Sequence, residues 1–410
     1  MALALTGGTL IDGTGADPVA GATVVTDGER IGAVGADLPR PNGVEVIEVD
    51  GLTVLPGLVD LHTHMGVINV EDPGAMSVAE TAAHLFRNAE LCLLSGHTAA
   101  REVAGADGGL KRAIDQGLLP GPRLYPSGPL ICQSGGHGDL STPWIDHHHH
   151  APFHGTPGLT QLSEVADGPD GVRLAVRGAF QRGATQIKVC VSGGVVSLTD
   201  SLEDTQFSVE ELKAAVEEAH ARGTYVTAHA HNVRSINNGL DAGLECFEHG
   251  TWLDEQTVSR LAEAGAALVP TLTVTALAVE NWREWGIPEE VLPRFEGVTD
   301  AMKASLKLAF DAGVTIGSGT DILGPNQQRR GLEIALKAEV IGPMEAIVSA
   351  TKTSAEILRA SQDLGTVEEG KYADLIAVKG DPLAHPGLFE DADNIVLVVK
   401  GGHVVKDLRG

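Results

Sequence analysis

The sequence predicts an α/β protein: a (β/α)8 TIM barrel with a small β-sandwich side domain formed by the N- and C-terminal segments. Three observations predict it. In the middle of the chain, eight short apolar runs alternate with helix-like segments. Before about residue 55 and after about residue 366 the chain reads instead as short strands broken by glycine turns. Charged and imidazole side chains recur at the ends of the middle runs, where a barrel of this kind carries its chemistry. A doubly wound sheet of less regular order is the alternative.

The N-terminal strands are "ALALTGGTLIDG", "GATVVTDGERIGAVG" and "VEVIEVDGLTVLPG"; their C-terminal counterparts are "KYADLIAVKGDPL" and "NIVLVVKGGHVVKDL". Residues 1–55 and 366–410 are therefore expected to form one composite β domain around a barrel of residues 56–365. The barrel strands follow in order. They are "TVLPGLVDLHTH", "TAAREVA", "PRLYPSG", "TQIKVCV", "TYVTAHA", "LECFEHG", "AALVPTL" and "VTIGSGTD". Of the helices between them, "SVEELKAAVEEAHARG" is the clearest. Ser208 is its N-cap, Glu211 completes a capping box, and Gly223 ends it.

The 410 residues exceed one small domain, and 43% hydrophobic content supports a sizeable core. A net charge of −26 argues against nucleic-acid binding, which wants a basic face. Cys92, Cys132, Cys190 and Cys246 are far apart and form no CxxC pair. They signal neither a disulfide framework nor a cysteine zinc site, and a cytoplasmic protein is the simple expectation. The N-terminus shows no basic region and no long apolar run, so neither a signal peptide nor a membrane anchor is expected.

Each predicted strand can be tested for what ends it. The first ends in His62 and His64, the fifth in His229 with His231 following, the sixth in His249 and the eighth in Asp321; the fourth carries Lys188. Alternate strand residues point to one side, so His62 and His64 can bind one ion together. Neutral imidazoles with an aspartate suit zinc. His229 and His249 can hold a second ion. Lys188 is the odd member, because an ammonium repels dications. A desolvated lysine, however, deprotonates readily. The neutral amine can take up carbon dioxide as a carbamate, an anion able to bridge two ions. Singly, each residue has a plainer reading: a hydrogen-bonded core histidine, a helix-capping aspartate, a snorkelling lysine.

At these residues the sequence resembles the metal-dependent amidohydrolase superfamily. The landmarks are "PGLVDLHTH", "IKVCVSGG", "TAHAHN", "FEHG" and "GSGTD", with "PMEAIVSATKTSAEILRA" and "LGTVEEGKYADLIAVKGDPL" downstream. The resemblance spans essentially the whole chain. It implies that His62, His64 and Asp321 bind one metal and that His229 and His249 bind the second. It further implies that an N6-carboxylated Lys188 bridges both. The cofactors it implies are two divalent metal ions, with zinc the expected metal. The resemblance also implies a bridging hydroxide as nucleophile, with Asp321 as proton shuttle and His249 as the second catalytic group.

Together, "IKVCVSGGVVS" and "SGGHGD" are similar to the prolidase-like and arginine-carboxypeptidase-like dipeptidase branch, which ochratoxin-type amidases also resemble. That branch cleaves amides whose amine side is an amino acid with a free carboxylate. The expected partner is thus a small-molecule substrate, a dipeptide or N-acyl amino acid, with no nucleic acid and no membrane, and self-assembly into a homo-oligomer is left open. Two positions depart from the branch: His231 stands where relatives carry a tyrosine, and Arg330 where they often carry a histidine. His137 in "GGHGD", His231 and Arg330 are the candidates to contact substrate; Tyr225 is expected in the core.

Other readings stay open. The same metal centre would serve an ochratoxin-type amidase or a hydrolase of cyclic amides, lactones or carbamates. A catalytically silent barrel is the non-enzyme alternative, and the filled ligand positions argue against it. The internal run His147–His150, with His154, is a lid, a secondary metal-binding tract or a solvated loop.

Overall fold

The computed structural model describes residues 2–36, 38, 43–69, 76–141, 155–156, 158–197, 200–324 and 327–409. The histidine run at 147–150 and His154 lie outside the described residues. The chain divides into two compact units. One comprises Met1–Asp60, Glu90–Ala100 and Gln328–Gly410; the other comprises Leu61–Ala89 and Arg101–Gln327.

The first unit is built on one eight-stranded sheet that uses both chain ends. Leu52–Pro56 runs antiparallel to Leu375–Lys379, with Leu55 opposite Ile376, and pairs in parallel with Leu3–Leu10. Outward from these lie Ile395–Lys400 and His403–Asp407 on one side, and Val19–Asp27 and Arg30–Gly35 on the other. Leu5, Val24, Val54, Leu375 and Leu397 share one apolar cluster. Ile31, near the far edge of the sheet, packs into the same cluster as Leu397.

The second unit is α/β. Its seven-stranded sheet runs in the order Ser163–Val165, Leu130–Cys132, Ile187–Cys190, Val226–Ala230, Cys246–His249, Ala267–Val269 and Thr315–Ile316. Every pairing in it is parallel. Strands buried on both faces need near-continuous apolar sequence, and "IKVC", "VTAHA" and "CFEH" are wholly buried. The polar residues inside these strands therefore need a reason. A further three-stranded sheet comprises Leu58–Thr63, His97–Glu102 and Arg123–Pro126, and the boundary between the units falls within its first two strands. Leu61 N–H donates to Ser318 O and Asp321 N–H to His62 O, so the first strand pairs with the segment after the last one.

Helices follow the strands as the sequence pattern indicates. Val209–His220 begins at the capping box of Ser208 and Glu211. Val233–Ala242 and Glu255–Ala264 are capped by Asn232 and Asp254 and end on left-handed glycines, Gly243 and Gly265. Among the described residues, no helix is long and apolar enough to cross a membrane.

Candidate active site

The parallel strands carry their polar residues to one cavity, lined by His62, His64, Lys188, His229, His249 and Asp321 among others. Register explains the meeting. Cys190 lies opposite His229 and Ala230 opposite His249, so the neighbouring strands end at one level. Among the described residues, only four non-glycine residues have positive φ, and two of them are His249 (φ 66°) and Asp321 (φ 56°). Left-handed backbone costs energy in ordinary residues and gathers at functional sites. Here it occurs at the last residue of Cys246–His249 and in the loop after Thr315–Ile316, and both side chains line the cavity. Gly319 allows the approach, since a Cβ there would fall 2.7 Å from the His62 Cβ.

Two donor groups result. His62, His64 and Asp321 form one; His229, His231 and His249 form the other. His64 Nε2 lies 3.2 Å from both His62 Nε2 and Asp321 Oδ1. His229 Nδ1 lies 2.9 Å from His249 Nε2. The opposite nitrogens of these rings are already committed. His64 Nδ1 donates to Ala104 O at 3.0 Å and His229 Nε2 to Gly193 O at 3.2 Å. A carbonyl only accepts, so in either ring, when it is neutral, the nitrogen facing the cluster carries the lone pair. His62 Nδ1 meets Glu248 Oε2 at 2.8 Å, and His249 Nδ1 meets Thr271 Oγ1 at 2.7 Å.

The electrostatics suit cations. Burial pushes His62, His229 and His249 below their ordinary value, so they are neutral imidazoles able to coordinate. His64 differs: burial works against its charge, but Asp321 more than compensates and holds it above the usual value. Burial would raise Asp321, yet His62, His64 and Lys188 hold its carboxyl below the usual range. Lys188 is 2% exposed, and its Nζ has no hydrogen-bond partner among the described residues. Burial pushes its amine below the usual lysine value.

His137 and His231 join the cluster. His137 stacks on His229 with ring centroids 4.2 Å apart, and His231 stacks on His249 at 4.8 Å. Gly194 makes room for the first stack, because a Cβ there would lie 2.1 Å from the His137 ring. Burial pushes His231 down to about 3, with His137 adding to the effect.

Arg330 requires a correction. It falls in the other unit, is absent from the cavity lining, and is fully buried with Nη1 2.5 Å from Asp60 Oδ2. A guanidinium so held is an internal ion pair, not a substrate contact. Tyr225 is buried, as expected of a core residue.

Sequence reasoning missed a layer behind the histidines. Glu248 touches His62 and also Arg101, whose Nη2 donates to Oε1 at 2.6 Å. Burial would raise Glu248, but Arg101, Lys188 and His62 hold it below the usual carboxylate range. Glu102 accepts from Thr63 Oγ1 at 2.8 Å and from Met65 N at 3.0 Å, fixing the backbone around His64. The available signal was the one that exposed Lys188: a charged residue inside an apolar strand.

This architecture is shared with known proteins. A family model described as the amidohydrolase family matches residues 53–405, and the chain belongs to that family. It is a hydrolase acting on amide or peptide bonds. Among its relatives, the ochratoxinase of Aspergillus niger is 33% identical over 412 residues, covering 97% of this chain and 85% of the relative. The crystal structure of a prolidase complexed with N-methylphosphonate-L-proline is 35% identical with a TM-score of 0.94, covering 99% of this chain and all (100%) of the other. A Xaa-Pro dipeptidase with bound methionine is 31% identical with a TM-score of 0.88, at 99% and 100% coverage.

Proposed function

We propose that the chain is a binuclear metal hydrolase cleaving the amide bond of dipeptides or N-acyl amino acids with a free C-terminal carboxylate. The observation that carries this reading is Lys188, a buried amine without a hydrogen-bond partner among the described residues, lining one cavity with two donor triads. An unpaired buried ammonium is costly. Carboxylation removes the cost: the neutral amine attacks carbon dioxide, forms an N–C bond and releases a proton, leaving N6-carboxylysine. So modified, Lys188 would help hold two ions, one with His62, His64 and Asp321 and the other with His229 and His249. We assign the ions as zinc on this imidazole-rich donor set. When bound, they would polarise the scissile carbonyl and acidify a water towards neutral pH.

The chain's own residues do the rest. Asp321 takes the proton of the attacking water and delivers it to the leaving amine. His249 holds its metal-facing nitrogen in place through Thr271. His137 and His231 contact the substrate's carbonyl or carboxylate. Leu130, Leu140, Val195, Val274, Phe295 and Met302 line the remaining cavity wall. Asp321 is the only carboxylate among the described lining residues, so nothing there pairs a basic side chain. This ranks Xaa-Pro substrates above Xaa-Arg or Xaa-Lys. The same apolar wall favours a second reading, an ochratoxin-type amidase accepting a bulky apolar acyl group.

We place this chemistry on a (β/α)8 barrel of residues 56–365, with 1–55 and 366–410 as a β-sandwich domain. Pairing of the first strand with the segment after the last supports closure of the barrel. Ile31 and Leu397 sharing one cluster supports a sheet folded on itself, since flat strands lie about 4.8 Å apart. Four free cysteines fit a reducing cytoplasm.

The test is a library of Xaa-Pro, Xaa-Arg, Xaa-Lys and N-acyl amino acids beside lactones and carbamates. Turnover of apolar free-carboxylate amides is expected. Turnover of lactones or carbamates alone would refute the substrate assignment.

A further inference from the structure

Glu248 is fully buried and sits between two demands. Its Oε1 accepts from Arg101 Nη2 at 2.6 Å and from the Thr227 hydroxyl. Its Oε2 faces His62 Nδ1 at 2.8 Å. Arg101 is itself clamped: Nε donates to Leu61 O at 2.6 Å and Nη1 to the Tyr225 hydroxyl at 3.0 Å. Leu61 precedes His62, so one guanidinium fixes both the strand that carries the histidine and the carboxylate that meets it.

Donor and acceptor accounting gives the consequence. A guanidinium only donates, so the Glu248 atom facing Arg101 must be an oxygen. The carboxylate, ionised beside that guanidinium, only accepts. His62 must then carry its proton on Nδ1, and its Nε2 lone pair faces His64 and Asp321. We propose that Glu248, locked by Arg101 and Thr227, is a positioning residue that sets the tautomer and ring orientation of His62. Such outer partners tune metal affinity by 10–100-fold in well-studied sites. The inference rests on the metal reading above, but the tautomer is a property of the metal-free chain.

Glu248→Gln separates this role from simple packing. The amide has the same shape, yet its carbonyl must stay on Arg101 and Thr227. Its NH2 group then takes the position of Oε2 and can only donate. His62 Nδ1 is forced to accept, the proton moves to Nε2, and the lone pair facing the cluster is lost. Two readouts test this. In the metal-free full-length chain, 15N NMR of labelled histidines, assigned by comparison with His62→Gln, should show His62 protonated on Nδ1 in the wild type and on Nε2 in Glu248→Gln. Zinc affinity, read by titration against a chelator, should fall about 10–100-fold in the variant, with an unchanged circular dichroism spectrum. Should the variant fail to fold, the wild-type tautomer alone decides. A wild-type His62 lacking the Nδ1 proton, or a folded variant with wild-type tautomer and zinc affinity, would overturn the proposal. A wild type that binds no zinc but carries the Nδ1 proton would refute the metal reading and leave the tautomer assignment standing.

Discussion

Two fully buried arginine–carboxylate pairs invite comparison. Arg330 and Asp60 lie in the first unit; Arg101 and Glu248 lie in the second. All four side chains are 0% exposed. By chemistry alone the pairs are equivalent, and a buried ion pair is in itself weak evidence of stability or function. What separates them is the third partner. Glu248 passes its second oxygen to His62, a residue of the cavity wall. None of the described cavity-lining residues belongs to the unit that holds Arg330 and Asp60. The role of a buried charge is read from what its carboxylate touches next, not from the pair.

Asp60→Asn gives the largest effect that should divide the pairs. It leaves the Arg330 charge buried without its counter-ion, so stability should fall by roughly 3–5 kcal/mol, measured by chemical denaturation. Zinc affinity of the folded fraction should stay at the wild-type value. Loss of zinc without loss of stability would erase the distinction from Glu248.

A pH experiment sharpens the same contrast. His97 is buried in the first unit, 3.1 Å from Ser95 Oγ, and burial pushes its pKa from 6.5 down to about 4, with Asp60 opposing and Arg330 assisting. The folded chain thus keeps it neutral where the unfolded chain binds a proton. Its contribution is fully present above pH 6.5 and is lost as pH falls from 6.5 towards 4. The loss amounts to ~3 kcal/mol across that window. Denaturation midpoints between pH 7 and 5 should therefore fall more steeply for the wild type than for His97→Gln. Equal slopes would show that His97 is not held neutral.

The smallest effect is an exposed one. Ser208→Ala removes the capping box of Val209–His220 and should cost about 1 kcal/mol without touching metal binding. A cost near zero would mean that packing, rather than the cap, fixes that helix start.

These contrasts also show what the sequence carried. The capping box at Ser208 is local, four residues long, and was legible as written. So was the strand-end placement of His62, His64, His229 and His249, because an apolar strand advertises itself and its polar terminus stands out, whereas Asp321 lies beyond the short strand Thr315–Ile316. The left-handed backbone at His249 and Asp321 was not legible, since aspartate and histidine tolerate it better than most residues but adopt it in only a small minority of positions. Arg101 and Glu248 stayed hidden because they are 147 positions apart and nothing local pairs them. Arg330 misled for the same reason. Its place where relatives often carry a histidine suggested the cavity, whereas its partner Asp60 lies 270 positions away.

On the proposed reading Lys188 is carboxylated and helps hold two ions. Metal analysis of the wild type and of Lys188→Ala, each purified without chelator, tests it most directly. Two zinc-like ions per wild-type chain, lost together with turnover in the variant and partly restored by formate or acetate, is the predicted result. A Lys188→Ala variant that keeps both ions and full turnover would contradict it.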